Sequence, residues 1–368
     1  MKSDAIAHIP FLDGVRALAA LMVMTFHFVG RHGEPAIVRQ VAVIGQTGVE
    51  LFFVLSGFLI TRILLAAKGA PHFFATFYAR RALRIFPLYY GFLLFFFFVQ
   101  PHIFTTEVSP SGTQIWAWLY LQNVPMTFSN APVGGPGHFW SLAVEEHFYF
   151  VWPLAIAYLT RRQTWFFLAG VLVAPVLFRF LFLENGIPVF YFTLTRLDSL
   201  GYGALLALIS TSDFSIVVLT RWFRAALIGL TILLIPSFAV LSGSHYEWLQ
   251  VVKLSLIPAL YFAFLGFCIF DPLSSRLTRM LSVAPLRWIG SISYGLYVFH
   301  ILCFITVYKL APSLSLISDF FASFLLTFLI AGLSYRYLES PILRCNRFFP
   351  YSKPVGRPEM RVPSPALN

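Results

Sequence analysis

The chain's 368 residues are 58% hydrophobic and only 11% charged, with 42 phenylalanines. That is more apolar surface than a soluble domain can bury, so the composition points to a polytopic membrane protein. A net charge of +11 would suggest nucleic acid as the partner of a soluble protein; here it reads first as loop charge that sets orientation, and no nucleic acid is expected.

Apolar runs long enough to span occur at about 12–30, 48–67, 85–104, 139–159, 164–183, 189–210, 223–242, 250–270, 288–309 and 317–338. They predict an all-α fold of ten transmembrane helices. The first run is long enough to span and no small-residue cleavage site follows it, so it reads as a retained helix. With the N-terminus in the cytoplasm, nineteen Lys and Arg fall on the inner side, among them Arg62, Lys68, Arg80, Arg81 and Arg84. Only four, Arg31, Arg39, Lys253 and Lys309, fall outside, which orients the chain with both termini cytoplasmic. Residues 1–345 read as one transmembrane domain, and 346–368 as a basic, Pro-rich, disordered cytoplasmic tail suited to anionic lipid. The outward segment from Gln100 to His138 has no Lys or Arg and holds Trp116, Trp118 and Tyr120, which predicts a short interfacial helix and turns over an outward-facing pocket.

Within the first run, Arg16 and His27 interrupt a stretch that is otherwise apolar apart from Thr25. Eleven residues make three helical turns plus about 20°, so both side chains share one face about 16 Å apart along the axis. A charge at bilayer depth is costly enough to mark a functional site, with a structural ion pair as the competing explanation. Arg81 and Arg84 share a helix face one turn apart. Glu145 and Glu146 point about 100° apart and cannot face one partner. Glu50, Arg196 and Asp198 at span ends read as structural pairs, and His300, mid-span, as a packing or hydrogen-bonding partner. Ser56 is the one candidate covalent nucleophile, although Ser beside Gly more often marks a helix contact. Cys268, Cys303 and Cys345 lie far apart, with no Cys-x-x-Cys and no paired His set, so neither a disulfide framework nor a metal site is indicated.

Several blocks together resemble the membrane-bound acyltransferase family 3. They are Arg16 and His27 with ten residues between, Gly48-Val-Glu-Leu-Phe-Phe-Val-Leu-Ser-Gly-Phe58, Arg80-Arg-Ala-Leu-Arg-Ile-Phe-Pro87, and Ser141-Leu-Ala-Val-Glu-Glu-His-Phe-Tyr149. Arg196-Leu-Asp-Ser-Leu-Gly-Tyr-Gly203, Ser293-Tyr-Gly-Leu-Tyr-Val-Phe-His300 and Tyr337-Leu-Glu-Ser-Pro341 continue the series, which covers residues 9 to about 345. The resemblance implies an acyl-CoA-dependent O-acetyltransferase of the bacterial cytoplasmic (inner) membrane. Its donor is acetyl-CoA on the cytoplasmic side and its acceptor a hydroxyl of a cell-envelope glycan or similar molecule. On that basis His27 is the expected general base, Arg16, Arg81 and Arg84 hold coenzyme A phosphates, with Arg80 less firmly, and Glu145 supports His27 or binds the acceptor. Glu146, Ser56, Arg196, Asp198 and His300 are weaker candidates. The alternative is a secondary transporter or exporter of a lipid-linked sugar, against which no inverted repeat is evident.

Overall fold

The computed structural model describes residues 8–32, 44–104, 111–129, 134–243 and 247–351. The chain before residue 8 and the expected tail from 352 onward lie outside the described residues, as do five of the charges that set the orientation: Lys2, Arg39, Lys353, Arg357 and Arg361. Every regular element among the described residues is helical.

The elements run α1 Pro10–His32, α2 Gly48–Ala67 and α3 Phe73–Leu94, the last continuing through a π-helical turn Phe95–Val99. Then come α4 Ser111–Trp118, α5 Trp140–Tyr158, α6 Arg161–Glu184, α7 Leu197–Ser210, α8 Ile216–Gly243 and α9 Glu247–Phe270. The chain goes on with α10 Ser275–Leu281, α11 Ala284–Ser291, α12 Ser293–Leu310 and α13 Leu316–Ser334, which runs on into a second π turn, Tyr335–Glu339.

Eight helical stretches among the described residues are long and apolar enough to cross a bilayer, against the ten expected. The fourth expected span does form a helix, α5, but Glu145, Glu146 and His147 in succession make it too polar to count. The sixth, 189–210, is not one helix: an irregular segment and a 3-10 turn, Thr193–Thr195, precede α7, whose fourteen residues rise only about 21 Å. The ninth, 288–309, breaks at Ile292 into α11 and α12. The third begins at Phe73 rather than residue 85, so Arg80, Arg81 and Arg84 sit within a long helix rather than just ahead of it.

Two close approaches hold the polar helices in register. Gly57 of α2 lies against the Leu200 backbone of α7, and Gly203 of α7 against the backbone of Val54, Gly57 and Phe58, so a Cβ at either position would collide with main chain. Small residues at a crossing let helices pack where lipid supplies no hydrophobic drive between them. The Ser-Gly pair of the second span is thus a helix contact, and beside it the half-buried Ser56 meets Glu145 of α5. Similarly, Gly290 of α11 abuts the Asp13 backbone and Gly14 abuts Leu281, seating the start of α1 on α10 and α11. Aromatic residues fill the space between α2, α3 and α5, including Phe53, Tyr89, Phe92 and Trp152, whose Nε1 donates to Thr61 Oγ1 at 2.7 Å. Trp118 and Tyr120 join this packing by stacking on Tyr90 and Tyr89. Large apolar side chains on α6, α8 and α13, such as Leu177, Ile232 and Leu325, are exposed, as lipid-facing residues must be.

Candidate active site

Helix α1 carries polar groups at both ends of its buried face. Toward its C-terminal end, His27 Nδ1 lies 3.0 Å from the Val23 carbonyl oxygen and 3.1 Å from Nε2 of His300 on α12. His300 is fully buried, with Nδ1 at 2.7 Å from the Tyr297 carbonyl oxygen and 3.2 Å from that of Leu296. His138, in the turn Gly137–Phe139 that enters α5, completes a three-histidine group: its ring centroid is 4.9 Å from that of His300 and 6.4 Å from that of His27. Tyr297 fixes this turn by donating its hydroxyl proton to the His138 carbonyl oxygen, so Ser141 Oγ, 2.5 Å away, is the donor to the Tyr297 oxygen.

A cavity of about 400 Å³ opens on two of these imidazoles, those of His27 and His138. His27, His138, three phenylalanines (Phe92, Phe96 and Phe97) and the chain from Gly135 to Gly137 line it. Phe96 and Phe97 come from the first π turn, a device that recurs at functional sites because it re-aims side chains within a helix. The Gly-Pro-Gly chain leaves room beside the rings and brings His138 inward.

Near the start of α1, Arg16 Nη1 donates to Asp13 Oδ1 at 2.7 Å. Arg81 and Arg84 of α3 lie within electrostatic reach of Arg16, and Glu339 of the second π turn within reach of Arg84. Arg81 stands 5.6 Å from the centre of the Tyr149 ring. Glu145 accepts a hydrogen bond from Ser56 Oγ at 2.7 Å and is coupled electrostatically to Arg81 and Arg84. It therefore sits at the arginine end, and the side chain hydrogen-bonded to His27 is His300. Glu146 lies within electrostatic reach of Glu145, Arg81, Tyr120 and Tyr294.

Arg80 points elsewhere: it donates to the Phe349 carbonyl oxygen at 2.8 Å and lies 4.7 Å over the Tyr351 ring, tying α3 to the C-terminal segment. Burial raises the Tyr351 hydroxyl pKa, so that ring stays neutral beside the guanidinium. Arg196 and Glu50 form a buried pair at 2.5 Å, and Arg179 and Asp198 another at 2.6 Å. The Arg196 guanidinium is also enclosed by Phe190, Trp140 and Phe53. These pairs clamp α2, α6 and α7. Glu50→Ala would strand a buried cation, which costs about 3–5 kcal/mol, whereas Glu50→Leu with Arg196→Met removes both charges together. The single variant should lose much of its thermal stability in detergent, and the double variant should recover most of it.

Sequence reading singled out His27 and His300 because an imidazole inside an apolar span is conspicuous. It missed His138, Tyr297, Asp13 and Glu339. His138 lay in a segment read as an external loop; its place between a Gly-Pro-Gly turn and the Ser141-to-Glu145 block was the available signal.

These features define a polytopic membrane protein whose buried polar site runs along one helix, with cations at one end and imidazoles opening on a cavity at the other. A family model described as "Acyltransferase domain", that of acyltransferase family 3, matches residues 9–336, and the chain belongs to that family. Among curated proteins, YrhL of Bacillus subtilis is 31% identical over 96% of this chain and 58% of its own length. The peptidoglycan O-acetyltransferase OatA of Listeria monocytogenes is 30% identical over 94% of this chain, and the O-acetyltransferase OatA of Staphylococcus aureus 27% over 91%, each over 57% of its own length. The chain thus spans somewhat more than half the length of these relatives. No solved structure matches it.

Proposed function

We propose that the protein is an O-acyltransferase of a bacterial cytoplasmic membrane that moves an acyl group, acetyl first among them, from acyl-CoA on the cytoplasmic side to a hydroxyl of a cell-envelope glycan such as peptidoglycan. The observation that carries this is the layout of α1: His27 lines a cavity at one end, and Arg16 meets Arg81 and Arg84 about three turns away. The separation of about 16 Å is the reach of an extended pantetheine arm. With coenzyme A phosphates among the guanidiniums, the thioester arrives beside His27 Nε2. Planar guanidiniums suit phosphate because each presents paired donors. O-acetylation is the activity named for both OatA relatives, and peptidoglycan is the acceptor named for the Listeria protein.

In the reaction, the acceptor hydroxyl occupies the cavity and His27 takes its proton as the oxygen attacks the thioester carbonyl. The tetrahedral intermediate collapses with cleavage of the carbon–sulfur bond, and the imidazolium returns the proton to the departing thiolate. Glu145 and Ser56 belong to the donor end of the path. Mass spectrometry of envelope glycans tests the proposal: a deletion strain should lack an acyl mass that complementation restores, and identical glycans in both strains would refute it.

The orientation has its own test. In intact cells a single cysteine beside Lys68 should resist an impermeant thiol reagent, while one near Gly134 should react; labelling at Lys68 would reverse the assignment of donor and acceptor sides.

A further inference from the structure

Tautomers in the histidine group follow from its backbone partners. A carbonyl oxygen only accepts, so His300 Nδ1, held by the carbonyls of Tyr297 and Leu296, must carry a hydrogen, and neutral His300 presents a bare Nε2. The same logic at the Val23 carbonyl puts a hydrogen on His27 Nδ1. The 3.1 Å approach of His27 Nδ1 to His300 Nε2 is then a donor meeting a lone pair, and both constraints agree. His27 Nε2 is left with its lone pair free, with no protein partner among the described residues, on a residue that lines the cavity.

We infer that His300 is a positioning residue that, with the Val23 carbonyl, holds His27 in the Nδ1–H tautomer, aims its Nε2 lone pair into the cavity, and receives the hydrogen bond that strengthens when His27 becomes imidazolium. This rests on the reading of His27 as base. A buried imidazole here does the work that a carboxylate does for the histidine of a serine-protease triad, where loss of the correct tautomer is far more damaging than a small shift in geometry. His138 packs its ring edge-on against His300, and Phe304 packs on it as well, so His300 has little freedom to turn away. These contacts come from the turn before α5 and from α12 itself, and Phe304 packs in turn on Phe28 of α1.

The test compares three variants in nanodiscs by turnover and by nitrogen-15 NMR of labelled histidine. His300→Phe keeps the ring's bulk but offers no lone pair; kcat should fall about 10–100-fold with the donor KM little changed. Spectra should show His27 as the Nδ1–H tautomer in the wild type, and in His300→Phe, where only the Val23 carbonyl still favours that hydrogen, with an added share of the Nε2–H tautomer. In His300→Gln the side-chain carbonyl can take the place of Nε2, and both the single tautomer and most of kcat should return. Wild-type turnover in His300→Phe alongside an inactive His27→Ala would overturn the positioning role while leaving the base intact. Turnover that survives in His27→Ala would instead strike at the base itself. An Nε2–H tautomer at His27 in the wild type would overturn the inference whatever the rates.

Discussion

His27→Ala is expected to lower kcat by about 10²–10⁴-fold with acyl-donor binding nearly unchanged. The imidazole lines the cavity, while the guanidiniums proposed to meet phosphate lie at the other end of α1, so on this proposal removing it subtracts a proton acceptor and little else. The pH profile carries an independent sign. Only the neutral imidazole accepts a proton, so wild-type kcat should fall as pH drops through the pKa of His27, and that acidic limb should vanish in His27→Ala. Arg16→Ala should show the opposite partition, a raised donor KM with kcat less affected. Arg16→Lys should also be poor, because an ammonium keeps the charge but loses the planar fork that grips phosphate oxygens. Stopped-flow measurement of donor binding alongside steady-state turnover separates these outcomes; wild-type kcat in a folded, inserted His27→Ala protein would remove the base assignment.

The second large effect is electrostatic. Replacing Arg81 and Arg84 together by Ala should weaken acetyl-CoA binding at least tenfold, while binding of S-acetyl-pantetheine, which lacks the nucleotide phosphates, should change little. Each lost charge-assisted contact is worth about 1.5–3 kcal/mol. The proposal rests on three guanidiniums from α1 and α3 that repel one another and that Asp13, Glu339 and Glu145 offset in part; phosphate among them would relieve that repulsion further. Isothermal titration with both ligands reads the difference, and equal weakening would reduce the pair to a signal for membrane orientation. Arg80→Ala should spare donor affinity, because its guanidinium is engaged with Phe349 and Tyr351.

Hydropathy made most of the architecture legible because lipid requires long apolar helices, and eight of the ten expected runs satisfy that requirement. Its failures have local causes. Helix α5 carries Glu145, Glu146 and His147 because it lines the polar path, and α7 is short because an irregular segment brings Arg196 to Glu50. Periodicity alone cannot separate an apolar irregular stretch from an apolar helix. At the site, Arg16, His27 and His300 were conspicuous as polar groups in apolar spans. The spacing within α1 placed Arg16 and His27 on one face, but nothing in the chain order told that His300, 273 residues on, would bond His27. The resemblance implies that Glu145 supports His27 or binds the acceptor; its bond to Ser56 was not legible because it depends on the Gly57 and Gly203 crossing, a contact between distant segments.

The central claim is that acyl leaves coenzyme A beside His27. Its most direct measurement uses the purified protein in nanodiscs with acetyl-CoA labelled on the acetyl group and a soluble glycan fragment as acceptor. The expected result is release of free coenzyme A together with label on the glycan, both abolished by His27→Ala. Acetyl-CoA left intact by the wild-type protein, with the glycan unlabelled, would contradict the account.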